Sequence, residues 1–173
     1  EKLTQEPENF FKDKKIVITA GPTIELIDPV RYLSNRSSGM MGCEIANAFY
    51  NQGANVVLVK GPCKYMQNEN IFCINIKSGE EMLNAVENNI EDCDIFVSVA
   101  AVSDFTAKGS SDKKIKTDDN LTLELKKNVD ILKTISKNYN VFTIGFAAET
   151  NDLKSNAVKK LKNKGVSIIA ANK

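Results

Sequence analysis

From Lys15 onward, β-branched apolar runs alternate with amphipathic stretches. Lys15–Ala20 (KIVITA) reads as a strand, closed by a loop at Gly21-Pro22. Met41, Ile45 and Phe49 fall at i, i+4 and i+8, with Ala46 beside them. This spacing predicts an amphipathic helix over Gly39–Gln52, stopped by Gly53. Asn55–Lys60 and Ile71–Ile76 read as the next strands. Ser78 before Glu80-Glu81, with Met82, Val86 and Ile90 on one face, predicts a helix over Ser78–Ile90. Asp94–Ala101 (DIFVSVAA) is continuously apolar, as a strand buried on both faces would be. Leu121, Leu123 and Leu125 alternate with polar residues, which predicts a half-exposed strand. A helix over Asn128–Asn138, a strand over Val141–Phe146, a helix over Asn151–Lys164 and a strand over Val166–Ala171 complete the pattern.

Buried strands separated by helices imply parallel strands with right-handed crossovers. The expected fold class is therefore α/β: a doubly wound, mostly parallel sheet in a Rossmann-like three-layer α/β/α arrangement. In such sheets ligands bind beyond the carboxyl ends of the strands. That rule selects Gly21–Gly39, Ala101–Lys116, Phe146–Asn151 and Ala171–Lys173 as ligand-facing loops.

Composition narrows the chemistry. The 173 residues suit one domain, and no apolar run approaches the roughly 18 residues of a membrane span. Lys+Arg 23 against Asp+Glu 22 gives no basic excess, which argues against a nucleic-acid or membrane-surface binder. Histidine is absent, which removes His-based triads and most catalytic zinc sites. The four cysteines form no C-x-x-C pair. Cys43, Cys73 and Cys93 lie in apolar periodic segments and read as reduced core residues, which implies a cytoplasmic protein. Residues 1–14 read as linker from a preceding domain, and 15–173 as one domain. Both ends look like cuts in a longer polypeptide, with the domain truncated at its C-terminus.

The loops carry the candidate chemistry. Ser37, Ser38 and Gly39 lead into a helix whose free N–H groups and dipole suit a phosphate; an ordinary serine cap fits the same residues. Arg31 and Arg36 add positive charge there. Asp104 stands at the end of the buried strand, either capping a loop or pairing with a polar ligand edge. Lys113, Lys114 and Lys116 lie in a mobile-looking loop that is either a solvated face or a flap over a polyphosphate. Lys160 and Lys164, four apart on one helix face, are either surface lysines or a clamp on a polyanion.

Taken together, ITAGPTIELIDPVRYLSNRSSGMMG (Ile18–Gly42), VAAVSDF (Val99–Phe105), KIK with LTLELKKNVDIL (Lys114–Leu132) and GFAAET (Gly145–Thr150) resemble the phosphopantothenoylcysteine synthetase family. These are the phosphopantothenate–cysteine ligase domains of bifunctional bacterial coenzyme A enzymes. The resemblance runs from about Lys15 to Asn172. It implies a ligase that joins 4′-phosphopantothenate to L-cysteine with CTP. The substrate carboxylate attacks the α-phosphate, pyrophosphate leaves, and the cysteine amine then attacks the acyl-cytidylate and expels CMP. That carboxylate is already ionised at neutral pH, so a histidine-free site supplying position and charge is consistent with the scheme.

The resemblance further implies a role for each motif. Asn35 would handle the acyl-cytidylate, with Arg31 as the accompanying catalytic arginine. Ser37, Ser38 and Gly39 would meet a substrate phosphate. Asp104 would read the cytosine edge, with Ala101 at the same strand end and Phe146 offering its face to the base. Lys114 would act near the α-phosphate, and Lys160 with Lys164 would hold the triphosphate. It implies Mg²⁺ riding on the CTP phosphates, a homodimer with sites completed across the interface, and a flavin-dependent decarboxylase domain in the full-length protein. The family often reads Ala-Asn-Asp where this chain has Ala171-Asn172-Lys173.

Two other functions compete. A nicotinamide-dependent reductase would share the sheet. However, no G-x-G-x-x-G follows the first strand, and no Tyr is followed by Lys four residues later. A non-catalytic nucleotide-binding module needs only the loops.

Overall fold

A computed structural model describes residues 9–116, 121–148 and 152–172. Its centre is a six-stranded sheet, formed by β1 (Lys15–Ala20), β4 (Asn55–Lys60), β5 (Phe72–Asn75), β6 (Ile95–Ser98), β9 (Phe142–Ala148) and β10 (Ile168–Asn172). The spatial order is β10-β9-β6-β1-β4-β5, and every pairing is parallel. The helices are α1 (Met40–Asn51), α2 (Gly79–Glu87), α3 (Ile131–Asn138) and α4 (Leu153–Lys164). The chain winds outward from β1 to one edge, then returns to β6 and winds to the other. The order reverses between β1 and β6, which opens a crevice beyond their carboxyl ends.

The sheet is buried on both faces, as parallel sheets require. Ile16, Ile18, Val56 and Leu58 pack with Cys43 and Ala46 of α1 on one face. Val17, Val57, Val59 and Phe96 pack with Met82, Val86, Leu132 and Ile135 of α2 and α3 on the other. Phe96 is fully buried, a contribution of about 1.5–3 kcal/mol. Ser78 caps α2 by accepting from Glu81 N (3.1 Å), while the Glu81 carboxylate accepts from Lys77 N (2.8 Å).

The structure corrects several boundaries. The central strand stops at Ser98. Val99 and Ala100 donate their N–H groups to the Thr19 hydroxyl (3.2 and 3.3 Å), so the apolar run continues as a loop. The loop after β1 contains a hairpin, β2 (Ile24–Leu26) against β3 (Tyr32–Ser34). The strand expected over Leu121–Leu125 is instead β8 (Leu125–Lys127), antiparallel to β7 (Phe105–Ala107). Residues 121–127 are all exposed, so their alternation does not follow burial. Helix α3 begins three residues later than expected, because Asp130 caps it by accepting from Lys133 N (3.1 Å).

Of the expected linker, residues 1–8 lie outside the described residues. Residues 9–14 fold against α1: Phe11 N donates to Gln52 O (3.0 Å), and the Phe11 ring meets Phe49 edge-on at 4.8 Å. Residues 117–120, 149–151 and 173 are also outside the described set, and of these 149–151 and 173 fall in two of the expected ligand loops. Among the described residues no helix is long and apolar enough to cross a membrane.

Candidate functional site

The crevice is built first by backbone. Ala101 N donates to Gly21 O (2.9 Å) and Thr23 N to Ala101 O (3.4 Å), joining the loops that follow β1 and β6. The buried Thr23 hydroxyl accepts from Ser103 N (3.0 Å), so threonines of the β1 segment hold the Val99–Ser103 turn at both ends. Asn128 closes the far side, donating Nδ2 to Ser103 O (3.0 Å) and its N–H to Asp104 O (2.8 Å).

Two hollows flank this turn, and Val99 lines both. The first, about 180 Å³, gathers Asp104, Asp130, Phe146, Lys160 and Lys164. The carboxylate of Asp104 is exposed and accepts no hydrogen bond from a described residue. It therefore caps no loop among the described residues. Lys160 Nζ donates to Phe146 O (2.8 Å), and Lys164 Nζ pairs with Asp130 Oδ1 (3.0 Å). Both ammoniums are thus drawn from the helix surface toward the hollow. The Ser136 hydroxyl also donates to Lys164 O, fixing the end of α4 against α3.

The second hollow, also about 180 Å³, is lined by Gly21, Ser37, Ser38 and Gly39 at the start of α1. The Ser37 and Ser38 hydroxyls accept from Gly39 N (3.2 Å) and Met40 N (3.3 Å). Both serines therefore close local turns ahead of α1, whose N-cap is Gly39 and not a serine, and both remain exposed. Gly39 has φ 76°, a conformation suited to glycine. Gly42 brings α1 against the end of β1, where a Cβ would lie 2.5 Å from the Ala20 Cβ. Cys43 is buried under this first turn, where burial above all, with Cys63 nearby, pushes its thiol up to about 11. It is not a nucleophile at neutral pH.

Asn35 lines neither hollow and reaches the rim of the first by donating Nδ2 to Val102 O (2.9 Å), a residue of its lining. Arg31 and Lys114 line neither hollow. Arg31 is turned to Asp28 (3.5 Å) and donates to Ile115 O (3.2 Å), while Lys114 is exposed on the adjoining segment. The expected mobile loop is tied down within its described part. Ser111 N donates to Ile27 O (3.0 Å), and Ile115 N donates to Asp28 Oδ2 (3.1 Å).

Sequence reasoning missed Asp28, Asn128 and Asp130. The signal for Asp28 was the Asp-Pro turn. Burial pushes the Asp28 carboxyl up, but N–H groups of Val30, Ile115 and Arg31, with the Arg31 charge, outweigh it and leave the group below its ordinary value.

Among the described residues no group of three or more His, Cys, Asp or Glu is arranged to hold a metal. Phosphate and carboxylate ligands could be met here by lysines, helix N–H groups and side-chain amides, while Asp104 and Phe146 offer an edge and a face to a base.

Comparison with known proteins matches nearly the whole chain. The chain is 45% identical over 175 residues to the coenzyme A biosynthesis bifunctional protein CoaBC of Vibrio vulnificus (strain YJ016), covering 95% of this chain and 44% of that protein. It is 41% identical over 186 residues to the CoaBC protein of Bacillus subtilis (strain 168), covering 97% and 46%. The chain thus spans less than half the length of these relatives. A crystal structure of the C-terminal domain of a CoaBC protein superposes with a TM-score of 0.85 at 39% identity, covering 95% of this chain and 79% of that one. Residues 11–173 match the family model, and the chain belongs to the DNA/pantothenate metabolism flavoprotein C-terminal domain family.

Proposed function

We propose that this chain is a phosphopantothenate–cysteine ligase acting in coenzyme A biosynthesis, with CTP as co-substrate. The observation that carries the reading is the convergence of Asp104, Phe146, Lys160 and Lys164 on one hollow beside Asn35 and the start of α1. Cytosine would stack on Phe146 with its polar edge toward Asp104, while Lys160 and Lys164 face the phosphates. The carboxylate of 4′-phosphopantothenate attacks the α-phosphate of CTP, breaking the α–β phosphoanhydride bond, and pyrophosphate departs. Lys114 on its flap offsets the charge that builds there. The amine of L-cysteine then attacks the acyl carbon, loses a proton and displaces CMP, with Asn35 holding the acyl-cytidylate.

Mg²⁺ would enter on the triphosphate. The fold supplies no cage of carboxylates among the described residues, and phosphate and water oxygens suit this ion. A homodimer is supported by exposed Leu26, Val30 and Tyr32 on the hairpin and Phe105 on β7, an apolar set unusual on a lone surface. The bifunctional relatives support an attached flavin-dependent decarboxylase domain. Four free cysteines suit a reducing cytoplasm.

The test is pyrophosphate release from CTP with 4′-phosphopantothenate, with and without L-cysteine, and mass analysis of the products. Release without cysteine, and ligated product only with it, is expected. CTP binding with no pyrophosphate released would reduce the chain to a nucleotide-binding module.

A further inference from the structure

We propose that Asp28 is a positioning residue for ligation. It latches the flap that carries Lys114 onto the turn between β2 and β3, and so sets where that lysine stands before nucleotide arrives. The kinetic consequence rests on the ligase reading above; the latch itself rests on geometry.

The Asp28 side chain is fully enclosed. Its two oxygens divide their work. Oδ1 accepts from Val30 N and Arg31 N, both at 2.8 Å, which closes an Asx turn over Pro29. Oδ2 accepts from Ile115 N at 3.1 Å, across 87 positions of sequence, with Arg31 Nη1 3.5 Å away. Arg31 Nη2 in turn donates to Ile115 O at 3.2 Å. Adjacent side chains of one turn thus take both the N–H and the C=O of a single flap residue. Ser111 N, bonded to Ile27 O at 3.0 Å, pins the flap again four residues earlier. Lys113 and Lys114 ride on the span between these two straps, exposed.

A carboxylate is needed at this point. An amide keeps one acceptor oxygen for the turn but presents N–H groups to the Ile115 N–H and the guanidinium, donor against donor. Asp28→Asn therefore preserves the turn and releases the flap. Asp28→Ser does the same with a single hydroxyl, a residue that also favours such turns.

Two readings separate the latch from general support of the fold. In the first, amide exchange followed by NMR should become about tenfold faster at Ile115 in either variant, with Val30 and Arg31 still protected. In the second, pyrophosphate release in the intact protein should fall with Asp28→Asn, yet fall no further when Asp28→Asn is added to Lys114→Gln. Two residues acting through one contact are not additive. Unchanged exchange at Ile115 overturns the latch. Faster exchange with losses that multiply overturns its link to Lys114. Should Lys114→Gln alone leave pyrophosphate release intact, the assigned role of Lys114 fails, and exchange at Ile115 still decides the latch.

Discussion

Asn35 donates its side-chain amide to the Val102 carbonyl at 2.9 Å, across 67 positions of sequence. It thereby ties the segment entering α1 to the turn leaving β6, over the point where the sheet order reverses.

Replacing that amide by a carboxylate sets an anion against a carbonyl oxygen. Asn35→Asp is expected to lose the bridge, at a cost to stability of about 0.5–1.5 kcal/mol for an exposed bond. The larger effect falls on product formation. If Asn35 steadies the acyl-cytidylate, losing the donor should cost about 10²–10³ in rate. Mass spectrometry of quenched reactions should show the acyl-cytidylate accumulating in this variant. Accumulation in Lys114→Gln instead would reverse the two roles.

Asp104 offers a cleaner separation of binding from structure. Its carboxylate has no partner among the described residues, and only its backbone carbonyl is used, by Asn128. Asp104→Ala should leave the unfolding midpoint unchanged. It should weaken CTP binding by about 1–3 kcal/mol, and phosphopantothenate binding by less. Calorimetry with both ligands checks this; equal losses would remove the base-reading role.

The middle of the central sheet was legible because its inner strands leave a burial pattern. Ile16, Val17 and Ile18 are all fully buried, and Met82 and Val86 keep helical spacing on α2. The β2–β3 hairpin and the β7–β8 ribbon leave none. Leu26, Tyr32 and Phe105 are exposed, so neither period marks them, and the alternation through Leu125 follows no burial. The end of β6 was misjudged for another reason. Val99–Ala101 is as apolar as the strand before it, yet the Thr19 hydroxyl, 80 and 81 positions away, takes the Val99 and Ala100 N–H groups out of the ladder, and Gly21 O takes that of Ala101. In the site, polar residues at strand ends were visible one loop at a time. That Asp104 and Asp130 share a hollow depends on Asn128 bonding to Ser103, a long-range contact with no local signal.

Away from the site, Lys14 and Asp94 form a partly exposed ion pair at 2.8 Å, and Asp94 also accepts from Lys15 N at 2.9 Å. The Lys14 hydrogen bond, then the Lys15 N–H, hold the Asp94 carboxyl below its ordinary 3.8. The same bond holds Lys14 above 10.5. A carboxyl with a lowered folded pKa stabilises above 3.8, and that stability is lost as pH falls through the folded value. A lysine with a raised pKa stabilises below 10.5 and loses this as pH rises through its folded value. Urea unfolding should therefore show a small, flat advantage over Asp94→Asn between these limits, shrinking at both ends. An advantage that persists unchanged to pH 2 would refute the assignment.

Gly39 joins backbone conformation to the second hollow. Its φ of 76° is costly for any side chain, about 1–2 kcal/mol. A Cβ there would also collide with the Cys63 Sγ of the β4–β5 connection. Overpacking of this kind costs about 1–3 kcal/mol more. The two terms can be parted. Cys63→Ala removes the Sγ, the nearer contact, but keeps the Cβ at 3.0 Å and the dihedral. It should therefore stabilise the Gly39→Ala protein while leaving the otherwise native chain unchanged or slightly weaker. The N–H groups of the first turn of α1 move with the clash, so 4′-phosphopantothenate affinity should fall in Gly39→Ala and recover in part in the double variant. Unfolding and 4′-phosphopantothenate titration of the four proteins measure both. If Cys63→Ala has the same effect in both backgrounds, Cys63 exerts no steric hold on Gly39, and the loss in Gly39→Ala belongs to the backbone dihedral alone.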